Sequence, residues 1–594
     1  MTLAGAAAQP WSRLAFLCLV VCSLSPASDV LTQHNDMART GAILDETILS
    51  PAALKNEHFG KLFSFPVDGQ IYAQPLVVSG VAIPGKGMRN VVYVATMRNL
   101  VYAFDADGGD RSPLWQTFLG TPMPYDRIPK DAAALLGQYN IRPYIGITST
   151  PVIDPAKRLL YVVAKIAEPA CPGADTATPK CPVVYRIHAL DLAGGAVLQK
   201  ADIRIPMKDS DVPEPDVARR HLQRPALLLA NRKVYVAFGA HQDAVPYHGW
   251  LIAFDADTLQ QLDPAFSPTP GGEMGGIWQA GSGPAADQSG NLYFMTGNGS
   301  FDPARMQFGS AFLKLNGDLT SAEWFAPANV QALNILDIDL GSAGPMLLPG
   351  TDELVGGGKQ GKLYLVNRSK PGGLQAHHWF HDGNNPPIQF FQASRGWRLT
   401  WLSWFPFLFH AGYHHIHGSP VYWNSRRNGP TVYVWPEEDR VKAFHYDPIR
   451  KFQTSPKQGM MGNQGMPGGF LSISANGPES GILWGAIPLH DDAWVEIVRG
   501  TLRAFDADTL DLLWSTDRDD PNDYFDFAKN VPPTIANGKV YLATFSDRLN
   551  VYGLHSSIAP AVQIPAIKVS RDARHRGHIK GATGHPSPAG VHRH

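Results

Sequence analysis

The chain has 594 residues, 44% hydrophobic and 17% charged, with 57 glycines and 49 prolines. A formal net charge of −1 excludes whole-molecule attraction to nucleic acid or to an anionic membrane. So much Gly and Pro suits a turn-rich all-β protein, and the length alone would allow several domains.

Residues 1–27 read as a secretion signal. Arg13 supplies a positive charge, Leu14–Cys22 is apolar, and Ser25-Pro26-Ala27 suits cleavage after Ala27. The apolar run is short for a bilayer. The mature chain is therefore expected to be exported, periplasmic or extracellular, with no transmembrane segment. Lipidation at Cys22 is an alternative that the bulky Val20-Val21 ahead of it disfavours. Residues 29–60 form a polar lead-in, expected to pack across one face or rim of the β domain formed by the rest of the chain. Lys61–Phe65 is a lone strand.

The next stretch, Asn90–Gly120, reads as three short strands separated by turns. Val, Tyr and Phe alternate at period two between Asp, Gly and Asn. Such a unit cannot bury its apolar faces alone. The end of its third strand, Ala103–Asp107, recurs seven times: Ala189–Gly195, Ala253–Leu259, Leu313–Leu319, Leu363–Ser369, Lys442–Pro448, Arg503–Leu510 and Asn550–Leu554. Upstream, an X-Pro pair marks seven of the eight units: Gln74-Pro75, Thr150-Pro151, Arg224-Pro225, Gly283-Pro284, Gly344-Pro345, Ser419-Pro420 and Pro532-Pro533. Proline is tolerated at a strand's first residue, where no ladder N–H is needed. Leu471–Gly477 stands in that place in the seventh unit.

Long excursions precede the second and third units, at 121–147 and 201–222, with a short helix expected at 130–138. Cys171 and Cys181 are the cysteines left after cleavage, and they bracket a loop between two strands of the second unit. In an oxidising compartment they are expected to form a disulfide worth about 2–3 kcal/mol. Residues 371–418 are a His- and aromatic-rich insertion. It holds His377, His378, His381, His410, His414, His415 and His417, and the run from Trp397 to Phe409. A buried lid, a docking patch and a shallow membrane contact are all open for it. Residues 555–594 are basic and rich in His, Pro and Gly, and are expected to be disordered.

Eight four-stranded units around an axis make an all-β, eight-bladed β-propeller of antiparallel blades spanning 61–554. The last unit supplies three strands, so Lys61–Phe65 is expected to complete that blade and close the ring, removing an exposed edge. The repeat at 92–116, with Thr32–Pro51, Phe59–Gly80, Tyr247–Gln260, Gly275–Asp287 and Pro532–Leu554, resembles the PQQ-type repeat of the quinoprotein alcohol dehydrogenase-like superfamily. It is most similar to secreted bacterial PQQ-repeat proteins. The resemblance spans about residues 29–554 and implies the fold. It leaves two functions: a binding or scaffold protein of the envelope or exterior, or a PQQ- and Ca²⁺-dependent oxidoreductase acting on alcohols or sugars. The outer-membrane assembly lipoprotein shares this repeat type and is not an enzyme.

Residues entering the inner strands are expected to face the channel. By register these are Gln74, Thr150, Arg224, Gly283, Gly344 and Ser419, with Gln70, Trp278, Gln279, His415 and His417 nearby. Arg224 suits a carboxylate, which its guanidinium matches bidentately, and Trp278 could floor a planar ligand. His415 and His417, two apart on an extended segment, face one side and could share a metal with His241 or His248 as third ligand. Asp105, Asp191, Asp255 and Asp506 read as turn residues. Asp243, Asp337, Asp339 and Asp526 are the freer acids. The superfamily's calcium ligands and catalytic Asp do not map onto this chain residue by residue, and neither a CxxCH nor an adjacent Cys-Cys pair occurs. A small molecule or an envelope protein is the expected partner at the channel mouth. A non-reduced digest of protein from its native compartment should yield the Cys171 and Cys181 peptides joined; two free thiols would refute the disulfide.

Overall fold

The computed structural model describes residues 28–56, 58–129, 141–168, 182–207, 216–374, 388–395, 414–462 and 465–555. The signal, both bracketing cysteines, the helix expected at 130–138, the Trp397–Phe409 run and the tail from 556 onward lie outside these residues, as do four of the insertion's histidines.

Period-two alternation builds the blades as expected. In blade 1, Leu76–Ile83, Gly87–Ala95, Leu100–Asp105 and Trp115–Phe118 pair in order as an antiparallel sheet, with Tyr93 opposite Ala103. Seven more inner strands follow, at Val152–Asp154, Leu228–Ala230, Ala285–Ala286, Met346–Leu347, Val421–Ser425, Phe470–Asn476 and Thr534–Ala536. Ring closure is also as expected. Phe59–Pro66 lies antiparallel to Arg548–Leu554, with Phe65 opposite Leu549, as the fourth strand of blade 8. One refinement concerns residues 371–418. Gln389–Gln392 within them is the outer strand of blade 5, and Gly373–Leu374 runs parallel to the outer strand of blade 4. That segment is therefore partly blade.

The aspartates after the third strands behave as turn residues. Asp255 Oδ1 accepts from the N–H groups of Asp257 and Thr258, both at 2.9 Å, and Asp506 Oδ1 does the same for Asp508 and Thr509. At five of the eight junctions a turn carbonyl then ties a blade to the one before it. Tyr93 on the second strand of blade 1 donates its hydroxyl to Leu192 O of blade 2. Tyr161, Tyr235 and Tyr433 repeat the contact to Ala256, Gly317 and Ala507 of the next blades. Tyr541 of blade 8 donates to Ala106 of blade 1, so the closing junction is built like the others. Apolar clusters between adjacent blades bury the sheet faces. Val163 and Ile187 against Val236 and Phe254 are one example.

The lead-in lies against the inner strands around the axis, and this corrects the expectation that it packs across a face or rim. Its backbone bonds Val77 of blade 1 in both directions. Leu31, Met37, Ala38, Thr40 and Gly41 carbonyls accept from Ile153, Ala286, Leu347, Tyr422 and Ile473 of blades 2, 4, 5, 6 and 7. Arg39 reaches Leu227 O at the start of blade 3, and Glu46 accepts from Gly538 of blade 8. Six of the inner-strand residues so engaged, Val77, Ile153, Leu227, Ala286, Leu347 and Tyr422, stand two past an X-Pro proline.

Arg39 is fully buried and makes four hydrogen bonds: to Pro284 O at 3.0 Å, Thr32 Oγ1 at 2.8 Å, Gln33 O at 2.7 Å and Leu227 O at 3.3 Å. Gly283 is obligatory there, because a Cβ would stand 2.5 Å from the Arg39 guanidinium. Arg39→Met should remove about 3–5 kcal/mol of stability by stranding these buried acceptors, read from denaturant unfolding. A loss under about 1 kcal/mol would mean the arginine does not anchor the lead-in.

Candidate functional site

In an antiparallel four-stranded blade the inner strand begins, and the second strand ends, on the same face. Entry loops and second-to-third connections from all the blades therefore crowd one mouth. Reasoning from the entries alone finds Arg224, Trp278, His415 and His417. The connections add Lys359, Glu437 and Trp494, and they also carry Asp243. Strand order was the signal that could have found them.

Arg224 and Trp278 meet. The guanidinium lies 5.5 Å from the Trp278 ring and 5.7 Å from that of Trp494. Trp278 is wedged between Gly239, Gly276 and Gly297, where any Cβ would come within 2.8 Å of its ring. Lys529, entering blade 8, lies 5.6 Å from the same Trp494 ring and donates to Ala493 O at 2.9 Å. Burial lowers Arg224 to about 10, with Asp339 opposing, so it stays charged at neutral pH. Burial, then Arg224, lowers Lys529 to about 7. Arg224 Nε has no hydrogen-bond partner, and among the described residues neither cation has a carboxylate at ion-pair distance. Beside them is a cavity of about 280 Å³ lined by Gln70, Tyr72, Arg142, Glu496, Lys529 and Phe545, among others.

Across the mouth the charges reverse. Lys359 Nζ stands 2.6 Å from Asp339 and 3.0 Å from Asp337. Burial alone would lower this lysine, but the two aspartates outweigh it and raise it. Asp243 joins them, accepting from the Tyr247 hydroxyl. Burial, then Asp339 and Asp337, pushes its carboxyl up to about 7. Asp526 lies apart, bonded to Ser546.

Between the two poles sit the histidines. Their ring centroids are 5.5 Å apart, and His417 stacks on Trp494 at 5.8 Å. Burial, then Lys359 and Arg224, lowers His417 to about 3, so it is neutral. Neither His241 nor His248 stands with the pair. His241 Nε2 lies 3.0 Å from Lys165 and His248 Nδ1 lies 3.2 Å from Thr269 Oγ1, whereas Glu437 joins the pair. Burial, then Glu438 and Asp492, raises Glu437 to about 8.

Other entry residues are engaged in the ring itself. Gln279 is fully buried, and its amide donates to Ser282 O and accepts from Met295 N–H, which leaves no group facing a ligand. Thr150 Oγ1 accepts from Gln74 N–H and Ser419 Oγ from Gly344 N–H, each linking neighbouring blades. Short polar side chains at these entries serve blade-to-blade pairing.

No family model matches the chain, and no curated protein does. Solved structures do match. A quinohemoprotein alcohol dehydrogenase from Pseudomonas putida HK5 is 15% identical over 91% of this chain and 82% of its own, with a TM-score of 0.51. A europium-containing methanol dehydrogenase is 13% identical over 89% of this chain and 98% of its own, with a TM-score of 0.50. BamB from Moraxella catarrhalis is 11% identical over 84% of this chain and 98% of its own, with a TM-score of 0.33. The first two share the propeller fold with this chain.

Of the two cofactors expected from the sequence resemblance, the chemistry of the mouth suits one and not the other. Arg224 and Trp278 suit a planar polycarboxylate such as PQQ. The Asp243, Asp337 and Asp339 group does not fit calcium, because the Lys359 ammonium already supplies the positive charge among them.

Lys529 supplies a pH signature. Its folded pKa of about 7 lies below the ordinary lysine value of about 10.4. Between those values the unfolded chain binds a proton that the fold does not, so stability rises as pH goes up from 7 and is lost as pH falls through that window. Lys529→Met should remove about one proton from that slope, measured as unfolding midpoints at three pH values across the window. An unchanged slope would place the lysine in water.

Proposed function

We propose that this chain is an exported propeller that binds a small planar aromatic carboxylate at its mouth. The observation that carries the reading is the pair of buried cations, Arg224 and Lys529, on one indole with no carboxylate at ion-pair distance among the described residues. Burying two like charges together is costly unless an anion joins them. Trp278 and Trp494 offer flat apolar surface, and the cavity beside Lys529 admits a small molecule. Guanidinium and ammonium would take the carboxylate oxygens while the indoles cover the ring.

A second reading is a PQQ-dependent oxidoreductase. It is favoured by the fold shared with two proteins named as dehydrogenases, and PQQ is itself a planar aromatic carboxylate. Calcium separates the two. Calorimetry with PQQ and with benzene-1,3-dicarboxylate, with and without CaCl₂, should show calcium-independent binding under the first reading. Calcium-dependent binding with dye-linked alcohol or sugar oxidation would support the second. Arg224→Ala should weaken binding of either probe by about 1.5–3 kcal/mol, the range for charge-assisted hydrogen bonds, without lowering the thermal midpoint. Binding should also weaken as pH rises through 7 and Lys529 loses its charge. Unchanged affinity in Arg224→Ala would end the proposal.

A further inference from the structure

His415, His417 and Glu437 are held by the fold in one small space. Residue 416 explains the direction of the imidazoles. The Ile416 side chain is fully buried in the packing between blades 5 and 6, and its backbone is fixed at both ends, N–H to Gly358 O and C=O from Ser342 Oγ. On an extended segment the neighbours of an outward residue both point the other way, so His415 and His417 face the axis together. Glu437 is positioned by its own backbone, whose N–H donates to His415 O at 2.9 Å. Its Oε2 stands 3.2 Å from His415 Nδ1.

We infer that these three side chains form a binding site for a borderline divalent transition-metal ion, with Zn²⁺ the best match. One ligand atom from each lies within 4.8 Å of the others. A point equidistant from three atoms at that limit is about 2.8 Å from each, so shifts of under an ångström bring them to the usual 2.0–2.1 Å for nitrogen and oxygen ligands. The His415–Glu437 separation already equals the ligand-to-ligand edge of a tetrahedral zinc site, about 3.3 Å for bonds of 2.0 Å. A second observation points the same way. His417 Nε2 is buried with no hydrogen-bond partner, a cost that a ligand would remove. Two imidazoles and one carboxylate select zinc and its transition-metal neighbours over calcium or magnesium, which prefer oxygen.

Charge around the site allows a cation. Lys359 is neutralised by Asp337 and Asp339, and Glu437, Glu438 and Asp492 lie on the near side. Arg224 stands on the far side, close enough to bear on His417. Three protein ligands leave a fourth position open for water or an anion. This site stands whether or not the aromatic carboxylate binds.

The test uses the full chain stripped with a chelator, titrated with Zn²⁺ alone by calorimetry and with Co²⁺ by visible absorption, with no organic anion present. The native chain should bind one tight zinc equivalent that His417→Ala and Glu437→Gln each weaken at least tenfold. Cobalt should give the visible bands of a four- or five-coordinate ion, absent in both variants. Thermal melts without metal check that each variant is folded, and Glu437→Gln, nearly isosteric, keeps the test open if the histidine change unfolds the ring. The same number of tight equivalents at the same affinity in both variants would overturn the inference and place zinc elsewhere, for example on the His-rich tail. So would a native chain that binds none.

Discussion

Everything in this propeller is arranged around the lead-in at its axis. A ring of eight blades leaves inner strands whose inward N–H and C=O groups have no ladder partner. Water could satisfy them in an open channel, but here the backbone of residues 30–41 bonds the inner strands of blades 1, 2, 4, 5, 6 and 7, and the Arg39 and Glu46 side chains reach blades 3 and 8. The arginine in that segment then joins blades 3 and 4 to the lead-in itself. A buried cation bonded to several carbonyls tolerates little displacement, because every lost bond leaves an acceptor in a low-dielectric interior. The N-terminal sequence therefore closes the ring twice. Phe59–Pro66 completes the outer edge of blade 8, and the lead-in ties the inner strands together.

Blade-to-blade spacing is set farther out by the tyrosines of the second strands. In five blades the hydroxyl reaches a carbonyl in the turn after the third strand of the next blade. Side-chain carboxylates hold those turns by accepting local N–H groups, so the turn carbonyl is presented at a fixed place. The same aspartates that look like binding acids in the sequence are thus parts of the junctions. Tyr293 of blade 4 bonds Asp287 of its own blade instead, and blades 5 and 7 have no tyrosine at this position; their junctions with the next blade use other contacts, such as Tyr446 to Glu353 between blades 5 and 6 and Ser472 to Pro533 O between blades 7 and 8.

The mouth inherits its character from this frame. Rigid junctions hold the entry loops of distant blades within a few ångströms of one another, and that permits groups costly to bury alone. One pole carries Arg224 and Lys529 against indoles, and the other carries Asp243, Asp337 and Asp339 with one lysine among them. Opposite poles across a low-dielectric mouth would orient any dipolar or anionic guest strongly, since interactions there are little screened.

Much of the fold was legible in the chain. Period-two alternation, the Asp/Gly turns and the X-Pro marks are local signals, and their number sets the blade count; a missing fourth strand at one end and a spare strand at the other imply closure. Part of the mouth was legible too, because Arg224, Trp278, His415 and His417 stand at strand entries where register points inward. What only the tertiary structure decided is which polar groups are already bonded and which are not. Gln279, Thr150 and Ser419 share the entries with Arg224, yet their hydrogen bonds go to backbone within the ring, those of Gln279 inside its own blade and those of Thr150 and Ser419 across to a neighbouring one. Glu437 and Trp494 reach the histidines from second-to-third connections, and Lys359 meets the aspartates through another. The course of residues 30–46 around the axis was invisible for the same reason. Its pattern is polar and aperiodic, and its partners lie on all eight blades, spread over more than four hundred residues. Local sequence determines strands and turns because those depend on neighbours in the chain; the site depends on which loops a closed ring brings together.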